Sequence, residues 1–579
     1  MTTTKIKGIS ACPGVVSGKV FIFTQPEIKI NNKNIVESQI EQENQLFDTG
    51  RAQAKEQLEN IKRITLKNIG AAEAEIFDGH IEILLDESME EEVKTLIKDE
   101  LFSADKATQI VADQYIEMFS SMEDTYMRER AADMKDIFRR LVSNILGIHI
   151  PQLSEIDEPS IVIAFDLTPS DTAQMDKEKV LGFVTAEGGA TSHVAIMSRT
   201  LVIPAIVGAR EILDNVQNGQ DIILDGSEGD IIINPNTEDK KFYDNKLNEY
   251  KKEVLRLAGL KNLPAITKDG VTIDLCANVG TDIDALPALE QGAKGVGLYR
   301  SEFLYMDRSN WPSEEEQTNA YANVVRAFDK DLVIIRTLDI GGDKSLDYFA
   351  FPHELNPFLG WRALRVCLDK VDIFKTQLRS ILQASAHGKV GIMYPMVISL
   401  EEVQRANELL EECKKELLAE GIDFDPKIQR GVMIETPSAA MIANELADLV
   451  DFFSYGTNDL TQYTLAVDRG NPHIVKLYDS FHPSVLRLMA QATAAANAKN
   501  VWVGVCGELG GHPLATLFLI GIGVKELSMS AISIPKIKEI IRATTMTEAK
   551  EIAQKVLSLG TGTEIQKFLE ESLEKVLNK

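Results

Sequence analysis

The C-terminal half of the chain repeats one pattern eight times, an apolar strand followed by a segment of helix length. The strand candidates are VTIDLCANV (271–279), GVGLYR (295–300), LVIIRTLD (332–339), GIMYPM (391–396), GVMIET (431–436), DFFSYG (451–456), WVGVCG (502–507) and ELSMS (526–530). Eight strand–helix units in about 310 residues are typical of a closed α/β barrel of parallel strands, the (β/α)8 or TIM barrel. A doubly wound open sheet is the alternative that this pattern leaves open.

The N-terminal part of the chain reads as a small α/β domain that a helical insert interrupts. Short strands are expected at 14–23, 161–165, 180–189, 204–208 and 221–235. Between Pro26 and Pro151 there is no proline, and apolar residues recur at helical spacing. That stretch predicts several antiparallel helices rather than one long coiled coil, because Gly50, Gly70 and Gly79 would break a heptad pattern.

These patterns together predict four parts. They are a discontinuous α/β domain at 1–25 and 147–235, a helical domain at 26–146, a connecting helix at 236–262 and the barrel at 263–579.

Composition excludes several classes of protein. Of the 579 residues, 44% are hydrophobic and 26% are charged, as in ordinary globular proteins. The net charge of −27 disfavours binding to nucleic acid or to anionic membranes and favours a basic protein partner. The five cysteines lack CxxC spacing, which argues against a disulfide framework and a zinc site. No apolar run reaches the roughly 18 residues of a membrane span, and the N-terminus lacks the apolar core of a signal peptide. We therefore expect a cytoplasmic protein.

The segment GGATSHVAIMSRTLVIPAIVG (188–208) holds the histidine with the most distinctive surroundings. The Thr-Ser pair before His193 suits a helix N-cap, which would place the imidazole in the first helical turn. Exposed amides and the helix dipole favour an anion there, and the two preceding glycines let the backbone come close to it. The segment suggests a histidine that carries a phosphoryl group, and a capped core histidine is the alternative.

Charged and polar residues collect at the C-terminal ends of the expected barrel strands, where such barrels hold their active sites. Several guanidinium groups there suit a phosphate and a carboxylate. Glu435 and Asp459 are too few for a calcium cage but fit Mg²⁺. Cys506 could exchange a proton with a carbon or enolate centre. Each residue alone has a structural explanation, but their convergence indicates a site for a small phosphorylated carboxylic acid. The set is Arg300, Arg336, Lys344, Glu435, Asn458, Asp459, Arg469 and Cys506.

At these residues the chain resembles enzyme I of the bacterial phosphoenolpyruvate-dependent sugar phosphotransferase system. The shared motifs run along essentially the whole chain and include ISACPGVVSG, GGATSH, GVGLYRSEFLYMDR, RTLDIGGDK, NPFLGWRA, GVMIETP, FSYGTNDLTQYTLAVDRGN, CGELGG and SMSAISIP.

The resemblance implies a reaction and its partners. Phosphoenolpyruvate would bind in the barrel with Mg²⁺, and Arg362 of GWRA would be a further contact. His193 would take the phosphoryl group and pass it to a histidine of the phosphocarrier protein HPr, while Cys506 protonates the enolate to give pyruvate. The resemblance also implies that the helical insert docks HPr, that the barrel forms a homodimer, and that His193 swings about the connecting helix.

Two parts of the sequence bear on the transfer step and on docking. The family motif often has arginine where this chain has Ala190, so Arg199 or Thr172 would have to share its role. Acidic residues gather in the second half of the insert, and such a face would speed encounter with a basic carrier, although a solvated helix face is the alternative. His80, in the same stretch, is expected to be structural. The acidic set is Glu73, Glu75, Asp78, Glu82, Asp86, Glu87, Glu90, Glu91 and Glu92.

Two other functions remain as alternatives. A pyruvate phosphate dikinase or phosphoenolpyruvate synthase would share the histidine motif and the barrel, but it needs an ATP-binding domain for which the chain has neither a P-loop nor room. A non-catalytic regulator that binds phosphoenolpyruvate would be marked by loss of His193, Glu435 or Asp459, all of which are present.

Overall fold

The computed structural model describes residues 3–578 except 25–27, 32–33, 69–70, 121–124, 152, 154–155, 169–170, 173–174, 176–177, 190–193, 196–197, 199–202, 307, 309, 343, 345, 347 and 472. The chain divides into two compact units, Met1–Lys252 and Glu253–Lys579. Within the described residues, no helix has both the length and the apolar character that crossing a membrane requires.

The first unit is built on one mixed sheet. Its strands are β1 (Thr4–Lys7), β2 (Ile9–Cys12), β3 (Val15–Phe23), β4 (Ser160–Ala164), β5 (Val180–Thr185), β6 (Ala205–Val207), β7 (Asp221–Asp225) and β8 (Asp230–Ile233). The strand order is β1-β8-β7-β3-β4-β5-β6-β2, and β3 to β6 pair in parallel. Only Gly8 separates β1 from β2 although they lie at opposite ends of this order, so the sheet curls back on itself. A Cβ at Gly8 would overlap the side chain of Ile206 on β6, which explains the glycine at this crossing.

Two features of this sheet differ from the sequence prediction. Strands β1 and β2 were not expected, because four-residue strands are too short to show a periodic pattern. The segment 221–235 is a hairpin of two antiparallel strands, β7 and β8. Its turn includes Gly229 with a φ of +75°, a conformation that glycine adopts without strain.

A helical insert separates β3 from β4, as the proline-free stretch predicts. Its helices are α1 (Ile40–Asn68), α2 (Ala71–Leu84), α3 (Glu87–Asp99), α4 (Ala104–Ser120) and α5 (Thr125–Leu146). They bury a core of their own, in which Leu58, Val93 and Leu141 are fully buried. The short helix α6 (Ile212–Asn215) precedes β7, and α7 (Thr237–Ala258) forms the predicted connecting helix.

The second unit is a closed barrel of eight parallel strands in sequential order, which excludes the open-sheet alternative. The strands are β9 (Asp274–Val279), β10 (Gly295–Arg300), β11 (Leu332–Arg336), β12 (Val390–Tyr394), β13 (Gln429–Ile434), β14 (Phe452–Tyr455), β15 (Trp502–Val505) and β16 (Glu526–Met529). The helices are α8 (Ala285–Glu290), α9 (Glu314–Phe328), α10 (Leu364–Asp369), α11 (Val371–Ala384), α12 (Leu400–Glu420), α13 (Pro437–Met441), α14 (Ala443–Leu446), α15 (Thr457–Leu465), α16 (Pro483–Ala498), α17 (Pro513–Ile522), α18 (Ile534–Ala543), α19 (Met546–Ser558) and α20 (Gly562–Leu577).

The barrel has separate outer and inner cores. The outer core packs the strands against the surrounding helices. Inside the barrel, Phe452 and Trp502 stack with ring centroids 4.7 Å apart, next to Met393 and Met433. A Cβ at Gly431 would overlap the Phe452 ring, so this glycine makes room for it. Because side chains pack inside the barrel at this level, the polar groups that follow the strands lie above this layer.

Candidate active site

Two arginines and a lysine at the C-terminal ends of the strands are held by two buried carboxylates. Arg336 ends β11, and its Nη2 lies 2.5 Å from Oε1 of Glu302. Lys344 Nζ lies 2.8 Å from the same oxygen. Burial alone would raise the pKa of Glu302, but Arg336 and Lys344 outweigh it and lower that pKa. Glu302 is therefore an anion, and both cations contact its Oε1.

Asp339 is the second of these carboxylates and contacts three cations. Its Oδ1 lies 2.9 Å from Nη2 of Arg362, and its Oδ2 lies 3.1 Å from Nη1 of Arg336 and 3.2 Å from Nζ of Lys344. Burial opposes its ionisation, but Lys344, Arg336 and Arg362 hold its pKa well below the ordinary value. Asp339 thus fixes the three cations relative to one another.

Glu435 and Asp459 are the paired carboxylates of the site. Glu435 is 2% exposed, and its Oε1 accepts a hydrogen bond of 2.6 Å from the amide of Met396. Asp459, in the first turn of α15, lies 3.3 Å from Arg469 and 3.8 Å from Arg362. Burial and then the nearby Asp459 raise the pKa of Glu435. A carboxyl group whose proton affinity is raised by a neighbouring carboxylate is suited, together with that neighbour, to a dication placed between them.

Cys506 directly follows β15 and is 2% exposed. Its thiol donates to the carbonyl oxygen of Tyr455 over 3.6 Å, and its own carbonyl accepts from Nδ2 of Asn278 over 2.9 Å. Burial raises the pKa of the Cys506 thiol to about 12, against a smaller opposing effect of the adjacent Ser454 hydroxyl. A thiol in this environment stays protonated at neutral pH and can donate a proton.

Two further predicted residues lie at the edges of the cluster. Arg300 ends β10 in backbone register with Arg336, and its side chain is exposed. Asn458 precedes Asp459, and its Oδ1 accepts from the amide of Glu508 over 3.1 Å. The remaining predicted barrel residue, Arg469, is the ion-pair partner of Asp459 described above.

The barrel therefore brings Arg336, Lys344, Arg362, Asp459 and Arg469 into one network of ion pairs and adds two carboxylates that the sequence reasoning missed. Glu302 and Asp339 stand inside the motifs that were recognised, two residues after Arg300 and three after Arg336. They were missed because an acidic residue gives no sign in a sequence of which cations it will contact. Their proximity to the basic residues in YRSEF and RTLD is the only signal that could have found them.

The transfer histidine and its surroundings lie outside the described residues. This is the case for His193, Ala190 and Arg199, so their predicted roles stay predictions. Thr172, the other residue considered for sharing the charge, is described and 1% exposed.

The acidic stretch of the insert is partly neutralised by bases of its own. Glu90 lies 2.6 Å from both Arg51 and Lys94, and Asp78 contacts Lys62. Asp86 caps α3 by accepting from the amide of Met89. The side chains of Glu82, Glu87, Glu91 and Glu92 are exposed, whereas those of Glu73 and Glu75 lie outside the described residues. His80 is completely buried, and its Nε2 lies 3.4 Å from Asp133, as expected of a core residue.

Three family models match the chain. Residues 7–130 match the N-terminal part of PEP-utilising enzymes, residues 156–229 match the mobile domain, and residues 255–546 match the PEP-binding domain.

Relatives match nearly the whole length of the chain. The chain is 49% identical over 571 residues to the phosphoenolpyruvate-protein phosphotransferase of Haemophilus influenzae, an alignment that covers 98% of this chain and 99% of the relative. It is 43% identical over 568 residues to the protein of that name from Bacillus subtilis, again with 98% and 99% covered. A solved structure described as "NMR solution structure of Enzyme I (nEIt) protein" is 42% identical, with a TM-score of 0.40, and the match covers 42% of this chain and 99% of that one.

Proposed function

The chain belongs to the phosphoenolpyruvate-protein phosphotransferase family, and from that premise we propose how its residues carry out the reaction. Phosphoenolpyruvate binds at the C-terminal rim of the barrel, His193 takes its phosphoryl group, and the group then passes to a histidine of HPr. The observation that carries this proposal is the interlocked set of cations and carboxylates above Cys506 at this rim.

The charge of this rim suits phosphoenolpyruvate. Its five cations are Arg300, Arg336, Lys344, Arg362 and Arg469, and its four carboxylates are Glu302, Asp339, Glu435 and Asp459. With a dication bound, Glu435 would be ionised like the other eight side chains, and five cations, four carboxylates and the dication would leave a net charge of about +3. A phosphate ester contributes about −1.5 to −2 at neutral pH, so phosphate and carboxylate together nearly balance the site.

Glu435 and Asp459 would hold Mg²⁺. Among the described residues, no group of three or more His, Cys, Asp or Glu side chains is arranged to bind a metal. A pair of carboxylates with ligand oxygens left over for substrate is, however, the arrangement typical of Mg²⁺ in phosphoryl transfer. When bound, the ion would neutralise negative charge on the substrate and orient its oxygens.

The chain's own residues divide the remaining work. Arg336, Lys344 and Arg362 bind the phosphate and carboxylate of the substrate. When they do so, these contacts replace some of those that the three cations make with Glu302 and Asp339. Phosphoryl transfer depends mainly on such positioning and charge stabilisation. The enolate that leaves phosphorus takes a proton at carbon from the thiol of Cys506 and becomes pyruvate.

A partner is proposed for each of the two units, HPr for the helical insert and a second copy of the chain for the barrel. The exposed Glu82, Glu87, Glu91 and Glu92 of the insert support docking of a basic carrier such as HPr. For the barrel, a homodimer is proposed from the resemblance to the family. The five cysteines, all in the described part of the chain, form no disulfide, which supports a reducing compartment such as the cytoplasm.

The proposal is tested with phosphorus-labelled phosphoenolpyruvate. Wild-type protein should acquire an acid-labile, base-stable label that requires Mg²⁺, and HPr should discharge it. His193→Ala should acquire none, while His353→Ala, which changes a histidine outside the site, should label normally. No label on folded, dimeric wild-type protein would instead support a regulator that binds phosphoenolpyruvate without catalysis.

A further inference from the structure

A buried glutamate that the reaction above does not use lies inside the barrel. Glu526 begins β16, is 4% exposed, and pairs in register with Gly504 of β15 and Asp274 of β9. Its carboxyl oxygens make no hydrogen bond of ordinary geometry within the described residues, and the groups that interact with it are the Cys276 thiol and the backbone of Val505. A carboxyl group buried with only such weak partners calls for an explanation.

Two glycines make room for the Glu526 carboxyl within the barrel. A Cβ at Gly504 would overlap Oε2, and a Cβ at Gly297 would overlap Oε1. The carboxyl group therefore occupies space that a side chain would fill on β15, which pairs with β16, and on β10, which lies beyond β9. Cys506 follows Gly504 by two residues on the same side of β15, roughly 7 Å along the strand. Glu526 thus lies below Cys506, on the side away from the substrate.

Polar side chains lie between the carboxyl group and the thiol. The Oγ of Ser528 is 2.6 Å from the point that a Cβ would occupy if Gly297 carried a side chain. The same Oγ donates a hydrogen bond of 2.7 Å to Oδ1 of Asn278. Asn278 in turn contacts the carbonyl of Cys506. Ser454, in register with Gly504, is completely buried, and its hydroxyl interacts with the Cys506 thiol. Buried polar groups on these neighbouring strands favour an internal water between them.

We propose that Glu526 is the proton donor that restores the Cys506 thiol, and that it acts through an internal water beside Ser454. This proton path runs through the barrel interior towards its N-terminal mouth, where the side chain of Asp274 is exposed. Substrate and proton would then reach Cys506 from opposite sides. The proposal rests on the role of Cys506 as the acid.

Each proton has a source and a destination. When the Cys506 S–H bond breaks, the enolate electron pair forms a C–H bond and a thiolate remains. The O–H bond of protonated Glu526 then breaks and, through the water, an S–H bond forms again. Solvent at the mouth of the barrel reprotonates the carboxylate. In the reverse direction the thiolate takes a proton from the methyl group of pyruvate and passes it out along the same path.

The surroundings of Glu526 keep it protonated. Burial raises its pKa to about 8, Asp274 adds to the rise, and Cys276 opposes it. The pKa of the Cys506 thiol lies higher, so transfer from the carboxyl group to the thiolate is downhill. Arg336, at the end of β11, lowers the pKa of the Cys506 thiol, but this effect is smaller than the rise that burial causes.

The test is exchange of the pyruvate methyl protons with D₂O, followed by proton NMR in the presence of Mg²⁺ and full-length enzyme. In Glu526→Gln the thiol would return the proton it had taken, so exchange should fall by at least about tenfold. Labelling of the protein by phosphoenolpyruvate should change less than about twofold, because Cys506 is protonated before the first turnover. Glu526→Asp should restore part of the exchange.

Three results decide between this proposal and others. Exchange at the wild-type rate in Glu526→Gln would overturn it. Equal losses of exchange and labelling together with a lower Tm would assign Glu526 a structural role and also overturn it. Absence of label in the wild-type protein would instead contradict the proposed phosphotransfer itself. Glu445→Gln, at an exposed position on α14, is the matched control and should leave all three measurements unchanged.

Discussion

Asp339 accepts a hydrogen bond of 2.9 Å from Arg362 across the barrel rim, and the same carboxylate also contacts Arg336 and Lys344. Four charged side chains from one loop region and one strand end thereby contact one another, and those of Asp339, Arg336 and Arg362 are buried. The rim is organised before substrate arrives, because its cations already have fixed partners.

Asp339→Asn should disorder these cations. Loss of one charge from a buried network leaves its partners uncompensated and typically costs about 3 kcal/mol of stability. We expect a lower Tm and a fall of about 100-fold in kcat/KM for phosphoenolpyruvate, because small displacements of binding groups have effects of that size. Steady-state kinetics and thermal unfolding measure the two effects. Asp423→Asn, at an exposed position, should change neither, and wild-type kinetics in Asp339→Asn would show that the network is not required.

Glu435→Gln should weaken divalent-ion binding. The substitution removes the charge of one of two carboxylates and leaves the shape of the side chain unchanged, so the Kd for Mn²⁺ should rise by at least about tenfold. Titration of Mn²⁺ followed by electron paramagnetic resonance gives the Kd directly, without turnover. Glu445→Gln is again the control, and an unchanged Kd in Glu435→Gln would place the ion elsewhere.

Gly504→Ala should destabilise the barrel through Glu526. The added methyl group overlaps Oε2 of Glu526 and lies 3.2 Å from its Cδ, and overpacking of this kind costs about 1–3 kcal/mol. In a Glu526→Ala background, the loss of stability caused by Gly504→Ala should be smaller by about 1 kcal/mol or more, because residues 504 and 526 are in contact. Urea unfolding of the four proteins measures this coupling. Gly560→Ala, whose methyl group would meet only Glu564 Oε2 at 3.8 Å, is the control, and additive effects would contradict the contact.

The stability of the protein should fall, relative to Glu526→Gln, as pH rises from 5 to 8. The folded-state pKa of Glu526 is raised from 4.5 to about 8, so the unfolded state loses this proton at lower pH than the folded state does. Stability from the protonated carboxyl group is therefore fully present below pH 4.5 and lost progressively up to about pH 8. The Tm difference between Glu526→Gln and wild type should become more positive across that window. A difference independent of pH would show that Glu526 is not protonated in the folded protein.

Much of the fold could be predicted because its signals are local. Each barrel strand is a short apolar run followed by a helical period, and β10 begins and ends at the predicted residues 295 and 300. The connecting helix α7 was visible in the same way, as a charged stretch without proline. By contrast, β1 and β2 are defined by their partners β8 and β6, which lie about 200 residues away in the chain, and so no local pattern marked them.

The sequence by itself determined the order of elements and the positions of the reactive residue types. Parallel strands place their C-terminal ends together, so Arg336, Glu435 and Cys506 could be assigned to one rim from topology alone. Only the tertiary structure decided which charges contact which. Closure of the barrel sets Glu526 beside Asp274, 252 positions earlier in the chain, and places its carboxyl group between Gly297 and Gly504. Such contacts depend on side-chain packing between distant strands, and the energy of a buried charge is set by those neighbours rather than by its neighbours in sequence.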